Sequence, residues 1–332
     1  MRVAILGAGT MGSIYANNLS KMNSVTVAGV CDIQLDRAQA AAEACRSTPY
    51  TCYEVMMAEQ NPDVICICLP TYLHKQMVIE TAARKKHVIC EKPIALTIED
   101  ANEMIQACRE NEVKLFIGHV LRLFPSYRSM QQQIHFGKIG NIKMAHAKRM
   151  GAYPQGWDNW YGDVNKSGGV ITDLMIHDID YMRWVFGEVK SVYATCVNWA
   201  ESLQQYVNAT LTMENGGLVN LTGYWGYPGE FKTEVEFAGD QGIIRANDSK
   251  ARSLQIIKQT DEQDSQQGVA VPSSPAFNDP YYEELAFFLK CITEDVEPFV
   301  TAEDGVKALT IALAIHQSIE LHKPIEVEGV NL

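Results

Sequence analysis

The sequence predicts an α/β protein: a doubly wound parallel sheet first, then a domain with a large open, mainly antiparallel sheet. Three observations carry this. Over residues 1–120, short β-rich runs alternate with helix-like stretches. After Val120 the runs change to alternating polar and apolar residues. The length, 332 residues, is enough for about two domains at roughly 150 residues each.

The early runs are Arg2–Gly7, Val25–Cys31, Asp63–Leu69, His87–Cys90 and Val113–Gly118. They are almost continuously apolar, as strands covered on both faces must be. Between them, Met11–Ser20, Ile33–Cys45, Tyr72–Lys86 and Thr97–Asn111 read as helices, with Glu99 and Asp100 placed where a helix N-terminus favours negative charge. Strand–helix alternation of these lengths means βαβ units and a parallel sheet. The expected division is a first domain over 1–120 and a second over 121–332.

In the second part, Ser126–Phe136 reads as a helix, Ile142–Met150 as a strand and Gly151–Gly169 as an aromatic, Gly-rich loop. A helix over Val170–Phe186 follows. Then Val192–Asn198, Tyr206–Met213, Leu218–Trp225, Thr233–Ala238 and Gly242–Arg245 read as strands. Their alternation buries one face and exposes the other. Glu214-Asn215-Gly216-Gly217 is a hairpin signal. Gln259–Pro275, polar and rich in Ser, Gln and Pro, reads as a surface loop. Tyr281–Thr293 and Glu303–His322 read as helices.

The formal net charge of −12 argues against nucleic-acid binding, which needs a cationic surface to displace counterions, and against docking on anionic lipid. The most apolar short run, Val64–Leu69, is far below the roughly 20 residues of a membrane helix. The start MRVAILGAGTMG has no long apolar region before a small-residue cleavage site, so no secretory signal is expected. The nine cysteines include no Cys-x-x-Cys and read as free thiols in a cytoplasmic protein. No metal site is expected.

Gly7-Ala8-Gly9-Thr10-Met11-Gly12 fits the dinucleotide fingerprint, and its context strengthens it: an apolar strand precedes it, a helix follows, and Asp32 ends the next strand. Gly7 permits the tight turn, Gly9 lets backbone approach a pyrophosphate, and Gly12 lets helix and strand pack closely. The helix N-terminus offers unpaired N–H groups to phosphates. Asp32 suits the ribose hydroxyls and repels a 2′-phosphate, which favours NAD over NADP.

Two further motifs stand out. In Glu91-Lys92-Pro93, Lys92 sits at a strand end, where open parallel sheets bind ligands. In the stretch from Ser167 to Gly187, Asp173 and His177 are i,i+4 neighbours, and Asp180 follows on the same side. A polar stripe on an otherwise apolar helix is costly if buried without partners.

These motifs, with Leu69-Pro70-Thr71-Tyr72-Leu73-His74 and Gly118-His119-Val120-Leu121-Arg122-Leu123-Phe124-Pro125, resemble the glucose–fructose oxidoreductase / inositol dehydrogenase / MocA-like family along nearly the whole chain. The resemblance implies an N-terminal Rossmann domain and a C-terminal α/β domain whose sheet serves homodimer or homotetramer assembly. It places the family's catalytic lysine on Lys92 and its helix acid and histidine on Asp173 and His177. Pro70, Thr71, His74 and Glu91 fall where the family borders its cofactor. Trp157-Asp158-Asn159-Trp160 looks like the aromatic lid of one branch.

Oxidising a secondary alcohol needs a proton acceptor as hydride leaves. His177 has the free pKa best suited to this, and Lys92 can stabilise the developing negative oxygen, with Asp173 in a positioning role. The opposite division, with Lys92 as base, is open at this point. The implied substrate is a polyol, cyclitol or sugar-like hydroxyl, with His119, Arg122, Tyr153, Trp157, Trp160 and Tyr281 as candidate pocket residues. The alternatives are a non-catalytic nucleotide-binding sensor on the same fold and a redox-cycling enzyme that retains its cofactor.

Overall fold

A computed structural model describes residues 1–198, 204–247 and 279–329. The expected loop Gln259–Pro275 lies outside them. The first elements are β1 (Arg2–Leu6), α1 (Thr10–Leu19), β2 (Thr26–Cys31), α2 (Leu35–Cys45), β3 (Pro49–Tyr50) and α3 (Tyr53–Gln60). β4 (Val64–Ile67), α4 (His74–Ala83), β5 (His87–Glu91), α5 (Ile98–Glu110) and β6 (Leu115–Gly118) follow. The six strands form one parallel sheet in the order β3-β2-β1-β4-β5-β6. The order reverses between β1 and β4, so the crevice beyond their carboxyl ends is where such a sheet receives a ligand.

The apolar runs are buried as expected, with Val3–Ile5 and Val64–Ile67 fully shielded. Thr97 caps α5, its side chain accepting from the Asp100 N–H at 3.1 Å. Among these first elements, two went unread in the sequence, β3 and α3. Two residues show no periodicity, and the eight of α3 bury only Tyr53, Met56 and Met57, one short i, i+3, i+4 stripe.

Next come α6 (Pro125–His135), β7 (Ile142–Gly151), α7 (Val164–Ser167) and α8 (Ile176–Phe186). They are followed by β8 (Val189–Asn198), β9 (Gln205–Met213), β10 (Leu218–Trp225), β11 (Lys232–Gly239) and β12 (Gly242–Asn247). α9 (Pro280–Thr293), α10 (Ala302–Leu321) and β13 (Ile325–Glu326) end the described chain. The second sheet runs β12-β11-β7-β10-β9-β8-β13. Its pairings are antiparallel except β7 with β10. The hairpin between β9 and β10 forms at the expected place: Gly216 takes φ +83°, and the Asn215 side chain accepts from the Gly217 N–H at 3.0 Å.

The chain forms two compact units. One comprises Met1–Leu123 with the described residues of Pro275–Val306; the other comprises the described residues of Phe124–Ser274 and Lys307–Leu332. In the first unit, Phe288 of α9 stacks on Phe116 of β6 with ring centroids 4.8 Å apart. In the second, the core against the sheet includes Tyr181, Trp225, Phe237 and Leu211.

Candidate active site

In the first unit, the chain leaves β1 at Gly7, whose φ of +93° requires a glycine. Its N–H donates to the Cys31 carbonyl at 2.8 Å, and a Cβ there would run into the Cys68 carbonyl. A Cβ at Gly12 would strike the Gly7 carbonyl, so helix and loop touch backbone to backbone. Gly9 is different: a Cβ there would meet no atom within 4 Å. Packing within the protein does not demand this glycine. Open space over the start of α1, which has no side-chain cap, suits the approach of a pyrophosphate to bare backbone. Thr10 and Met11 lie beside it, half-buried.

Asp32 is half-buried and anchors this loop. Its carboxylate accepts from the Ala8 N–H and the Gln34 N–H, both at 2.8 Å. Each oxygen keeps a further lone pair, enough for ribose hydroxyls.

The turn after β4 holds Pro70, half-buried, and Thr71, buried. His74 is fully buried, and both ring nitrogens face backbone carbonyl oxygens at 2.9 Å, those of Leu69 and Pro93. Burial holds its pKa below the usual imidazole value. The ring is thus a strut between the ends of β4 and β5, below any surface a ligand could touch. Glu91 is buried, Lys92 half-buried, and the Lys92–Pro93 peptide is cis.

His119 and Arg122 are buried in the same unit. The guanidinium of Arg122 donates to the Phe299 carbonyl at 2.9 Å and pairs with Asp304 at 3.3 Å, which commits Nη1 to the segment leading into α10. Tyr281 is buried in the first turn of α9.

In the second unit, Gly168 and Gly169 both have positive φ, +70° and +64°. The helix expected over Val170–Phe186 is two pieces: a π-helical turn at Ile171–Met175, then α8. Such wide turns cluster at functional sites. This one contains Asp173, which is buried; His177, in the first turn of α8, is half-buried. His316 of α10 braces the start of the turn, its Nε2 lying 3.1 Å from both the Thr172 hydroxyl and the Gly168 carbonyl.

Asp178 and Asp180 are both buried. Asp178 accepts two hydrogen bonds from Arg149 of β7, at 2.8 and 2.9 Å. Tyr153 is half-buried and packs edge-on against Trp225, with a shielded hydroxyl that has no hydrogen-bond partner among the described residues. Trp160 stacks on Tyr161 at 3.9 Å, while Trp157 is exposed.

The structure therefore gathers the fingerprint, Asp32, Pro70–His74, Glu91, Lys92, His119, Arg122 and Tyr281 on one unit. It gathers Tyr153, Trp157, Trp160, Asp173 and His177 on the other. Reading the sequence missed Arg149, His316, and the neighbours of Glu91, which are Tyr15 and Glu284. Arg149 and Glu284 left a signal, since each is a charged residue at an inward position of an otherwise apolar pattern.

Residues 1–119 match the model of the oxidoreductase family's NAD-binding Rossmann fold, and residues 131–327 match that family's C-terminal alpha/beta domain. The chain belongs to the Gfo/Idh/MocA oxidoreductase family. It is an enzyme, a nicotinamide-dependent dehydrogenase or reductase, and its cofactor is NAD. A myo-inositol 2-dehydrogenase from Thermotoga maritima is 27% identical over 99% of this chain and 99% of its own. A 2,7-anhydro-N-acetylneuraminate hydratase from Escherichia coli is 29% identical over 77% of this chain and 70% of its own. The crystal structure of myo-inositol 2-dehydrogenase from Lactobacillus plantarum superposes with a TM-score of 0.82 at 27% identity, covering 98% of this chain and 99% of that one. Among the described residues of this oxidoreductase, no helix is long and apolar enough to cross a membrane.

Proposed function

We propose that this oxidoreductase moves hydride between NAD and a secondary hydroxyl, or the matching ketone, of a cyclitol, polyol or sugar-like substrate. The observation that carries the reading is the end-to-end similarity to a myo-inositol 2-dehydrogenase in a chain that holds Lys92, Asp173 and His177. Bound NAD supplies the hydride acceptor at the nicotinamide C4. His177 removes the hydroxyl proton as hydride departs. Lys92 hydrogen-bonds the same oxygen and stabilises its growing negative charge. Asp173 orients the substrate. Asp32 receives the ribose hydroxyls and disfavours the 2′-phosphate of NADP.

The second domain, expected over 121–332 but without the described residues of Pro275–Val306, which pack in the first unit, binds substrate and assembles the oligomer, a homodimer or homotetramer. The outward positions of its sheet carry Met144, Tyr193, Val197 and Leu218 among polar residues such as Thr210 and Asn220, a half-apolar face that can take a partner. All nine cysteines are free thiols, which fits a reducing cytoplasm.

The test is a panel of inositols, polyols and sugars, supplied with NAD and NADP separately and read at the nicotinamide absorbance band. Turnover on at least one member with NAD, and weak use of NADP, is expected. A panel silent with both cofactors overturns the reading.

Similarity to a hydratase favours one second reading, in which the same alcohol is oxidised and later re-reduced with no net redox change. Cofactor retained through gel filtration, with product formed and no net absorbance change, selects it.

A further inference from the structure

Two carboxyl groups lie in the interior of the first unit. Glu91 ends β5, immediately before Lys92, and Glu284 reaches the same place from α9. Both are buried, Glu284 completely. The Tyr15 hydroxyl of α1 donates to Glu284 Oε2 at 3.4 Å. Gly118, paired with Glu91 across β5 and β6, leaves the space in which these groups meet. A Cβ on Gly118 would lie 3.2 Å from the Tyr15 hydroxyl and 3.4 Å from both Glu91 carboxylate oxygens. The second Glu284 oxygen has no hydrogen-bond partner among the described residues.

Two carboxylates buried near the same tyrosine hydroxyl resist both being ionised, because each charge loses its hydration and repels the other. Burial, then the charge of Glu91, hold the Glu284 pKa well above its ordinary value, while the Tyr15 hydrogen bond pulls weakly the other way. The other groups bearing on it are Tyr15 and the Cys66 and Cys68 thiols, all raised by burial and therefore neutral at pH 7. The charge of Glu91 thus helps to keep the proton on Glu284. One Glu91 oxygen lies 3.2 Å from the Lys92 backbone N–H and accepts from it.

We propose that Glu284 is a positioning residue for Lys92: as a neutral acid held by Tyr15, it lets Glu91 stay a single carboxylate that fixes the strand end bearing Lys92. The inference rests on the role given to Lys92 above. Nothing in the fold alone calls for an acid at this point of α9, since Leu285, Phe288 and Leu289 fill the neighbouring buried positions. An apolar side chain there would be cheaper to bury.

The sign of the pH effect follows. Glu284 loses its proton near pH 4.5 when unfolded and well above that when folded. Its proton therefore favours folding fully only at low pH. Stability falls progressively as pH rises from the unfolded value through the folded one.

The experiment compares wild type with Glu284→Gln and Glu284→Leu. Thermal melts from pH 5 to 9 should show the Tm difference between Glu284→Gln and wild type growing steadily with pH. This arm needs neither substrate nor turnover, so it stands or falls apart from the proposed reaction. In turnover, Glu284→Gln should move the alkaline limb of kcat to higher pH by about one unit or more. Glu284→Leu should lower kcat by about tenfold, with the KM for NAD changed far less. A Tm difference independent of pH overturns the neutral-acid assignment. A Glu284→Leu enzyme that melts earlier but keeps wild-type kcat and pH profile overturns the link to Lys92.

Discussion

A methyl group added at Gly9 meets open space, and one added at Gly12 meets the Gly7 carbonyl. The same motif thus contains two glycines required by packing, Gly7 and Gly12, and one, Gly9, left open for a ligand. Gly9→Ala should fold with its Tm within about 2 °C of wild type and bind NAD at least about tenfold more weakly, measured by melting and by calorimetric titration. Gly12→Ala should lose stability outright. Full NAD affinity in Gly9→Ala would contradict the placement of the pyrophosphate. Much of this was legible in the sequence, because glycine spacing after a strand encodes close backbone approach directly. The seat of His74 was not: the sequence places it beside the cofactor, whereas its ring is buried against the Leu69 and Pro93 carbonyls. Burial depends on what packs over a residue, and a local motif does not contain that.

At the scale of elements, α8 shows what pattern reading catches and what it loses. The polar residues along it were visible as an expensive stripe. Their sorting was not, since Asp178 finds Arg149 at 29 positions' separation, through the register of β7 under the helix. Both side chains are nearly sealed, at 2% and 5% exposure. Removing Arg149 leaves a buried carboxylate without its cation, so Arg149→Met should cost about 3–5 kcal/mol in urea denaturation. The double variant Arg149→Met/Asp178→Leu should recover most of that loss. A single variant as stable as wild type would mean that the pair contributes nothing to holding α8. The π-helical turn was also hidden, because Asp173 and His177 are four residues apart whether the turn is wide or regular. α9 was the reverse case. Its buried stripe of Tyr281, Glu284, Leu285, Phe288 and Leu289 has helical spacing, so the acid within it left a signal in the pattern, although its partners did not.

For the whole molecule, the switch from continuous to alternating apolar runs foretold two sheets of different kind, and both are present. The return of α9 to the first unit was not legible, because its partners Phe116 and Tyr15 lie far back in the chain. The net charge of −12 opposes an anionic cofactor, so local N–H donors at the start of α1 must outweigh it. Raising salt should therefore weaken NAD binding less than it would in a protein that relies on surface cations. The half-apolar outer face of the second sheet predicts a dimer or tetramer in light scattering at micromolar concentration. Charged residues at Tyr193 and Val197, the latter 53% exposed, should dissociate it. A monomeric wild type would remove that role from the sheet.

The pH–rate profile of hydride transfer tests the central claim most directly, taken on the best substrate for wild type, Lys92→Met and His177→Ala. Both variants should lose kcat by at least about a hundredfold, the usual contribution of a general acid–base group, and His177→Ala should also lose the acidic limb of the profile. Near wild-type turnover in both variants would contradict the account.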